Sequence, residues 1–358
     1  MKGFSTKKGT LEYQNHICEE INISPSAYRE FLGLKLSSLG MGTYLGTPDN
    51  KTDKLVEKAV IKSIRGGINV IDTAINYRLQ KAERAIGTAL QKLSEYNIKR
   101  EQIFLSTKIG YIPGDADTGL GSRKYLKEII LKKNIANKEE VIGMNCMSPS
   151  YIEHQLDQSL KNLGISTIDL LYLHNVADAQ KASLGEENFF EGLEKAMNFL
   201  EEKVEEQKIK YYGIATWDCL RVNPSSPEYL NLQKVKDLSQ EVAESRGKKD
   251  CAFKFIMLPY NFQMTEAGKL KNQGGKTVFE KAKELNLGIF SAVPLLQAKA
   301  LNHPKLKTLR SKFGLETTAQ AAIQFVRKVG MPLIAPLVGH TQPEHVKQNL
   351  EVLMSNSP

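Results

Sequence analysis

The sequence predicts an α/β protein built as a single (β/α)8 TIM barrel, and three observations lead to this fold class. Strand-like apolar runs alternate with amphipathic helical runs along the chain, which is typical of a parallel sheet. Eight runs of each kind can be counted, and eight strands are the number that closes a barrel. The length of 358 residues suits one such barrel with insertions.

A doubly wound open sheet is the alternative architecture for this alternation. It requires a glycine-rich dinucleotide fingerprint after the first strand, and the chain has Gly40-Met41-Gly42-Thr43 there, which does not fit. The barrel is therefore the better prediction.

The individual elements follow from the period of the apolar residues. Residues 1–34 follow neither period clearly, and we expect an N-terminal extension packed on a barrel of residues 35–358. Strands are predicted near 36–44, 68–73, 103–109, 168–174, 210–216, 253–259, 287–293 and 332–338. Helices are predicted near 52–66, 81–96, 148–163, 187–208, 234–245, 277–286, 316–329 and 343–353.

Two helix starts carry capping signals. Ser148 precedes a proline at the first helical position, and residues 341–344 have capping-box spacing ahead of the last helix. The strand-to-helix connections near 110–147, 261–276 and 294–315 are long, and in a barrel they emerge on the C-terminal face, where active sites are built. Residues 122–133 are amphipathic, so we expect a structured lid that shapes substrate selectivity.

Composition excludes several classes of protein. A hydrophobic share of 41% is typical of a globular domain, and no apolar run reaches the length of a membrane span. The N-terminus lacks the pattern of a secretory signal, and the four cysteines are scattered, so we expect reduced thiols in the cytoplasm and no metal site. The net charge of +9 favours a phosphate-rich cofactor. Nucleic acid is not expected, because the lysines are spread along helices without interleaved aromatics.

Three predicted strands end in a titratable group on the same face as their apolar residues: Asp72, Lys108 and His174. A buried carboxylate needs a cation or a strong donor, so Asp72 requires a partner such as Lys108. Taken singly, Asp72 and Lys108 could form a structural ion pair, and His174 could be a core histidine. Their common position at strand ends, with Tyr77 five residues after Asp72, instead predicts an active site.

The segments IDTAINY, LSTKIG and DLLYLHN resemble the catalytic tetrad of the aldo-keto reductase superfamily, with Asp72, Tyr77, Lys108 and His174 as its members. The resemblance implies reduction of an aldehyde or ketone with hydride from a nicotinamide cofactor. It implies that Tyr77 is the general acid and that Lys108, held by Asp72, lowers the pKa of Tyr77. His174 would orient the carbonyl oxygen. The strand spacing by itself indicates only that three of these groups can point inward together.

The C-terminal stretch, residues 333–350, resembles the family's adenosine-phosphate site, in which a helix N-terminus faces the cofactor. The cofactor-binding positions implied are Thr216, Phe290, Leu295, Gly339, His340, Thr341, His345, Gln348 and Asn349. Phe290 is assigned to stacking on the nicotinamide, with core packing as an equal alternative. At Thr216-Trp217 the chain departs from the family's Gly-x-Ser-Asn run.

The cofactor preference is predicted from two further positions at which the sequence departs from the family's pattern. Gly339 and His345 replace the lysine and arginine that hold the 2′-phosphate of NADP in many members. We expect NADPH to be preferred weakly, with NADH as the alternative, and the preference to increase as protonation of His340 or His345 increases at lower pH.

The leading hypothesis is an NAD(P)H-dependent carbonyl reductase acting on a small molecule, without a membrane or nucleic-acid partner. The alternative is a cofactor-binding regulatory subunit that resembles potassium-channel β subunits. A lyase that uses Lys108 as a Schiff base is less favoured, because Asp72 would keep the amine charged. No motif specifies the substrate or an oligomeric state.

Overall fold

The computed structural model describes residues 1–355 and shows a closed parallel barrel of eight strands preceded by a hairpin. In chain order the strands are β1 (Tyr28–Phe31), β2 (Leu34–Ser37), β3 (Gly40–Gly42), β4 (Val70–Asp72), β5 (Phe104–Ile109), β6 (Ile168–His174), β7 (Ile209–Ala215), β8 (Phe253–Pro259), β9 (Gly288–Ala292) and β10 (Leu333–Gly339). Strands β3 to β10 pair in sequence, and β10 closes onto β3. The predicted (β/α)8 barrel is confirmed.

The helices surround the barrel. They are α1 (Lys7–Ile21), α2 (Asn50–Arg65), α3 (Lys81–Gln91), α4 (Ser122–Tyr125, continued by a π-helical stretch Leu126–Leu131), α5 (Pro149–Leu163), α6 (Ala182–Leu184), α7 (Glu186–Glu205), α8 (Leu232–Ser245), α9 (Val278–Glu284), α10 (Pro304–Phe313), α11 (Thr318–Arg327) and α12 (Pro343–Met354). Every predicted helix is present. Helices α1, α4, α6 and α10 were not among the predicted helices, although α4 lies in the amphipathic segment 122–133.

The first predicted strand, 36–44, is wrong as a single element. Its start belongs to β2, which pairs antiparallel with β1, and only Gly40–Gly42 joins the barrel. The chain bends between the two strands, where the Ser37 hydroxyl donates to the carbonyl of Leu39 at 2.7 Å. The apolar pattern runs through the bend, so it could not separate two strands that pair with different partners.

The hairpin covers the N-terminal end of the barrel. Phe31 packs edge-on against Phe255 of the barrel interior, with ring centres 5.2 Å apart. The buried guanidinium of Arg29 donates to backbone carbonyls of β10, including that of Ile334 at 2.8 Å. The cover means that a ligand reaches the barrel interior only from the opposite end, where the strands have their C-termini.

Helix α1 packs on the outside of the barrel. Tyr13 and Ile17, four residues apart, are buried in the main core, and the Tyr13 hydroxyl bonds the carbonyl of Ile64 at the end of α2. The other buried residues of α1, including Gly9 and Thr10, are small or polar. Because they are not apolar, the sequence did not show the helical period of this face. The expected boundary between the N-terminal extension and the barrel, at residues 34 and 35, falls at the start of β2.

Of the two predicted helix starts, one is confirmed. Ser148 is the N-cap of α5, ahead of Pro149 at the first helical position, although its side chain makes no capping hydrogen bond. The capping box at residues 341–344 is wrong, because the N-cap of α12 is Gln342 and no side-chain capping bond forms. The first-turn amides of α12 are therefore left without a side-chain cap.

Within residues 1–355 the structure contains no helix long and apolar enough to cross a membrane. The same residues contain no group of three or more His, Cys, Asp or Glu side chains placed to hold a metal ion.

Candidate active site

A cleft of about 820 Å³ opens at the C-terminal end of the barrel. Its walls include Asp72, Tyr77, Lys108 and His174. The first and last of these residues are 102 positions apart in the sequence. The walls also include every predicted cofactor position except Phe290: Thr216, Leu295, Gly339, His340, Thr341, His345, Gln348 and Asn349. The fold therefore brings both predicted groups of residues into one continuous cavity.

A buried ion pair forms the base of the cleft. Pairing of β4 with β5 places Asp72 beside Ser106, whose hydroxyl donates to Asp72 Oδ1 at 2.7 Å. Lys108 Nζ donates to Asp72 Oδ2 at 2.5 Å and to the carbonyl of Thr73 at 2.7 Å. Burial raises the pKa of Asp72, and Lys108 opposes that rise. Burial would lower the pKa of Lys108, but Asp72 and Tyr77 outweigh it and hold the pKa above its usual value. The Lys108 side chain is therefore kept protonated by Asp72 and Tyr77.

Tyr77 lies against this pair. Lys108 Nζ is 4.9 Å from the centre of the Tyr77 ring, and the ring of Tyr44 packs edge-on against Tyr77 with ring centres 4.9 Å apart. Lys108 lowers the pKa of Tyr77 as expected, but this effect is smaller than the opposite effect of burial. Burial raises the pKa of the phenol, and the charge of Lys108 only opposes part of that rise. Tyr77 therefore keeps its proton near neutral pH.

The backbone after Tyr77 is strained. Arg78, Leu79 and Gln80 have φ values of 50°, 54° and 72°, in the left-handed region that non-glycine residues rarely adopt. The buried Arg78 guanidinium holds the turn by donating to the carbonyl of Thr47 at 3.0 Å and to the Asp53 carboxylate. No sequence signal indicated this turn, because the contacts that impose it come from another connection.

His174 is held from outside the cleft by an amide that sequence analysis missed. Asn145, fully buried, donates to the backbone carbonyl of His174 at 2.8 Å and accepts from Gln180 Nε2 at 2.8 Å. Nδ1 of His174 is buried without a hydrogen-bond partner among residues 1–355. Burial, helped by the charge of Lys108, lowers the pKa of His174 well below its usual value. The imidazole is therefore neutral near pH 7.

At the other end of the cleft, His340 is locked by two hydrogen bonds. Its Nε2 is 2.7 Å from the Ser63 hydroxyl, and its Nδ1 is 2.8 Å from Asn349 Nδ2. An amide nitrogen can only donate, so Nδ1 accepts and the ring carries its proton on Nε2. Burial lowers the pKa of His340 to about 4. The expectation that His340 gains charge between pH 8 and 6 is therefore wrong.

Phe290 does not line the cleft. It is buried one layer deeper in the barrel and stacks on Phe255 at 5.9 Å, with Phe104 also at 5.9 Å. Core packing, the alternative left open by the sequence, is what the structure shows. The next inward position on β9 is Ala292, which does line the cleft, so this strand presents no aromatic ring there.

The connection after β7 carries Thr216 and Trp217 into the wall of the cleft. The Thr216 hydroxyl donates to the carbonyl of Met257 at 3.0 Å, so its proton is already engaged. The neighbouring Trp217 lines the cleft with 42% of its surface exposed. The Asp178 carboxylate accepts from the backbone amides of Trp217, Asp218 and Cys219 at 3.0, 2.6 and 2.9 Å and so fixes this turn.

The predicted lid is ordered but lies mostly away from the cleft. Residues 122–131 are helical, and the segment packs into a small apolar cluster with Tyr151 of α5. Of residues 111–147, all of which the structure describes, only Tyr111 lines the cleft. The part of the connection placed to contact a substrate is its first residue.

Known proteins share sequence features and the fold with this chain. The Aldo/keto reductase family model matches residues 38–356. An NADH-specific methylglyoxal reductase of Escherichia coli (strain K12) is 28% identical over 205 residues, which are 55% of this chain and 52% of that protein. The chain thus spans about half the length of this curated relative.

Solved structures share the fold at low sequence identity. An aldo/keto reductase from Klebsiella pneumoniae in complex with NADP and acetate matches with a TM-score of 0.61 and 17% identity, over 92% of this chain and 89% of that one. A thermostable aldo-keto reductase in complex with the inhibitor epalrestat matches with a TM-score of 0.60 and 17% identity, over 91% and 93%.

Proposed function

This chain belongs to the Aldo/keto reductase family, whose model spans residues 38–356, and we propose on that basis that it is an NAD(P)H-dependent oxidoreductase reducing an aldehyde or ketone to the alcohol. The observation that carries the proposal is the buried ion pair of Asp72 and Lys108 beside Tyr77 and His174 in one cleft. Perturbed titratable groups gathered in a cavity are typical of an active site.

Tyr77 is the proposed general acid. Burial keeps its phenol protonated, and the alkoxide that develops from a reduced carbonyl is a far stronger base than a phenolate. Proton transfer from the Tyr77 hydroxyl to that oxygen is therefore favourable. The phenolate left behind is stabilised by the charge of Lys108, which lowers the energy of the ionised phenol.

Asp72 and His174 support this transfer in different ways. Asp72 holds the Lys108 ammonium charged and in place by the 2.5 Å hydrogen bond. His174 remains neutral because burial lowers its pKa, so it offers a hydrogen bond to the carbonyl oxygen without adding a second positive charge. The same ion pair argues against a Schiff-base lyase, because the attacking amine would have to be neutral.

The residues present fit a nicotinamide dinucleotide, which supplies the hydride when bound. The cleft extends from Tyr77 to the start of α12, whose uncapped first-turn amides are suited to a phosphate. We propose NADPH as the preferred cofactor and NADH as the alternative. The NADP bound in the Klebsiella pneumoniae structure supports NADPH. The name of the Escherichia coli relative, an NADH-specific reductase, supports NADH as the alternative.

The proposed setting is the cytoplasm, with a small carbonyl compound as substrate and no nucleic-acid or membrane partner. All four cysteines, Cys18, Cys146, Cys219 and Cys251, are free thiols in the structure, which suits a reducing compartment.

The test is a cofactor titration followed by a turnover assay. Purified protein is titrated with NADPH and NADH while the fluorescence of its single tryptophan is followed, and aldehydes are then added while nicotinamide oxidation is recorded. We expect binding of NADPH and its oxidation by at least one aldehyde. Binding without turnover of any carbonyl would contradict the enzyme and favour the regulatory-subunit alternative.

A further inference from the structure

The four cysteines differ in what surrounds their sulfur atoms. Burial raises the pKa of the thiols of Cys18, Cys146 and Cys219, so these thiols stay protonated and unreactive. Cys251 lies just before β8 and packs against α8, and Lys236 of that helix donates from Nζ to Cys251 Sγ at 2.9 Å. Among the residues that the structure describes, no other cysteine sulfur accepts a hydrogen bond from a cationic side chain.

The surroundings of Cys251 are polar. Ser239 Oγ, also on α8, lies 3.2 Å from Sγ, and the backbone amide of Cys251 donates to Gln240 Oε1 at 3.2 Å. Cys251 is 1% exposed, whereas the side chain of Lys236 is only partly buried. The sulfur is therefore within reach of small solutes alone, along the side chain of the lysine.

Lys236 differs from a neighbouring lysine in the partner of its ammonium group. Lys254, which follows in β8, donates to the Asp250 carboxylate at 2.5 Å. Within residues 1–355, no Asp or Glu side chain forms an ion pair with Lys236, and its closest polar contact is Cys251 Sγ. The sulfur thus occupies the place of a carboxylate, and the thiolate is the form of a cysteine that an adjacent ammonium stabilises.

We propose that Cys251 and Lys236 form a modification site, at which a peroxide links Sγ to Nζ covalently as a sulfenamide. The reagent is a small hydroperoxide, with hydrogen peroxide as the smallest. The bond ties α8 to the segment that leads into β8. Neither residue lines the cleft, so the inference does not depend on the proposed function.

The reaction proceeds in two steps. In the first, the thiolate sulfur attacks one oxygen of hydrogen peroxide, the O–O bond breaks, and the hydroxide that leaves takes up the thiol proton to become water. The product is the sulfenic acid of Cys251. In the second, Nζ releases one proton to solvent and attacks Sγ, so that the S–N bond forms, the S–O bond breaks, and the hydroxyl leaves as water with a second proton from nitrogen. One peroxide is thereby reduced to two waters, and the sulfur is oxidised by two electrons.

The geometry favours the second step. Nζ already lies in contact with Sγ, so the condensation takes place between two groups that the fold holds together. An amine must be neutral to attack. Oxidation removes the negative charge of the sulfur, and no carboxylate among residues 1–355 pairs with Lys236 to keep its ammonium charged.

The test is peptide mass spectrometry of the purified full chain after exposure to hydrogen peroxide and blocking of the remaining thiols. We expect the peptides that carry residues 236 and 251 to be joined with a loss of about 2 Da, the two hydrogens removed, and to separate again in dithiothreitol. Lys236→Arg keeps the charge but offers no amine that condenses, so it should lose the link and leave a sulfenic acid on Cys251 that dimedone labels. Lys254→Arg is the matched control and should keep the link, because Lys254 bonds Asp250 instead.

A second variant tests the role of the charge. Lys236→Met should slow the oxidation of Cys251 by peroxide about tenfold, because the thiolate loses its cation. Circular dichroism on heating checks that each variant is folded before its peptides are compared.

Four outcomes would overturn the inference. They are oxidation confined to Cys18, the more exposed thiol, and oxidation of Cys251 in the parent protein without a bond to Lys236. The others are a linked peptide that persists in Lys236→Arg, and equal oxidation rates of Cys251 in the parent and in Lys236→Met.

Discussion

The side-chain amide of Asn145 donates a hydrogen bond of 2.8 Å to the backbone carbonyl of His174. The same amide accepts from Gln180 at 2.8 Å, so it connects the end of the long β5–α5 segment to the last residue of β6. Asn145 is fully buried and does not line the cleft. We infer that it is a positioning residue, which acts on the reaction through His174.

Replacement of Asn145 should therefore affect both stability and turnover. We expect Asn145→Ala to lower the free energy of unfolding by about 1–3 kcal/mol, because a buried carbonyl and a buried amide lose their partners. Turnover should fall by about 10–100-fold, because a displaced His174 no longer orients the carbonyl group of the substrate correctly. Asn272→Ala is the matched control: Asn272 is equally buried and bonds the carbonyls of Leu220 and Val222, away from the cleft. It should lose stability and keep its turnover. Similar turnover in the two variants would contradict the positioning role.

The phenol of Tyr77 is expected to carry the proton transfer. Tyr77→Phe should reduce kcat by about 10²–10⁴-fold, the usual contribution of a general acid. Cofactor affinity should change little, because Tyr77 lies at the catalytic end of the cleft and the predicted adenosine contacts lie at α12. Steady-state kinetics and fluorescence titration measure the two effects. A variant that reduces aldehydes at close to the parental rate would exclude Tyr77 as the acid.

Cofactor preference should respond to a charge placed at residue 339. A Cβ on Gly339 would lie 3.7 Å from the carbonyl oxygen of Gly42, an ordinary contact, so a lysine fits without backbone strain. We expect Gly339→Lys to raise the affinity ratio of NADPH over NADH by about 10–100-fold, since a charge-assisted bond to phosphate contributes about 1.5–3 kcal/mol. Gly339→Met controls for side-chain size. An equal rise in both variants would show that charge is not the cause.

His340 should not change the cofactor preference between pH 8 and 6, because burial lowers the pKa of this ring to about 4 and it stays neutral in that range. Titrations of both cofactors at several pH values test this, and any pH trend should be the same in the parent protein and in His340→Gln. A trend that disappears in His340→Gln would contradict the neutral ring.

His340 should make the fold sensitive to acid. Between its ordinary value near 6.5 and its folded pKa of about 4, the unfolded chain binds a proton at this histidine that the folded chain does not. Stability is therefore lost as the pH falls through this window, by about 2–3 kcal/mol at pH 4.5 from this residue. Urea unfolding at pH 7 and 4.5 measures the loss, which should be smaller by that amount in His340→Gln. His16→Gln, on the exposed face of α1, is the control and should show the parental loss.

The sequence by itself determined the fold class and the place of the site. Alternating strand and helix periods predicted the parallel barrel, because parallel strands need long crossovers and eight of them close on themselves. Asp72, Lys108 and His174 at strand ends predicted one cleft, because all C-terminal strand ends of a barrel face the same way. These features are periodic or local, and a single chain displays them directly.

Only the tertiary structure decided which neighbours each side chain meets. The split of the first strand, the depth of Phe290 and the bonds of Asn145 depend on partners far apart in the chain. The raised pKa of Tyr77 and the locked, neutral His340 depend on burial, which no spacing reveals. The energies of desolvation and hydrogen bonding are set by packing in three dimensions. The sequence could therefore place the reactive groups, but only the folded chain decided their protonation and partners.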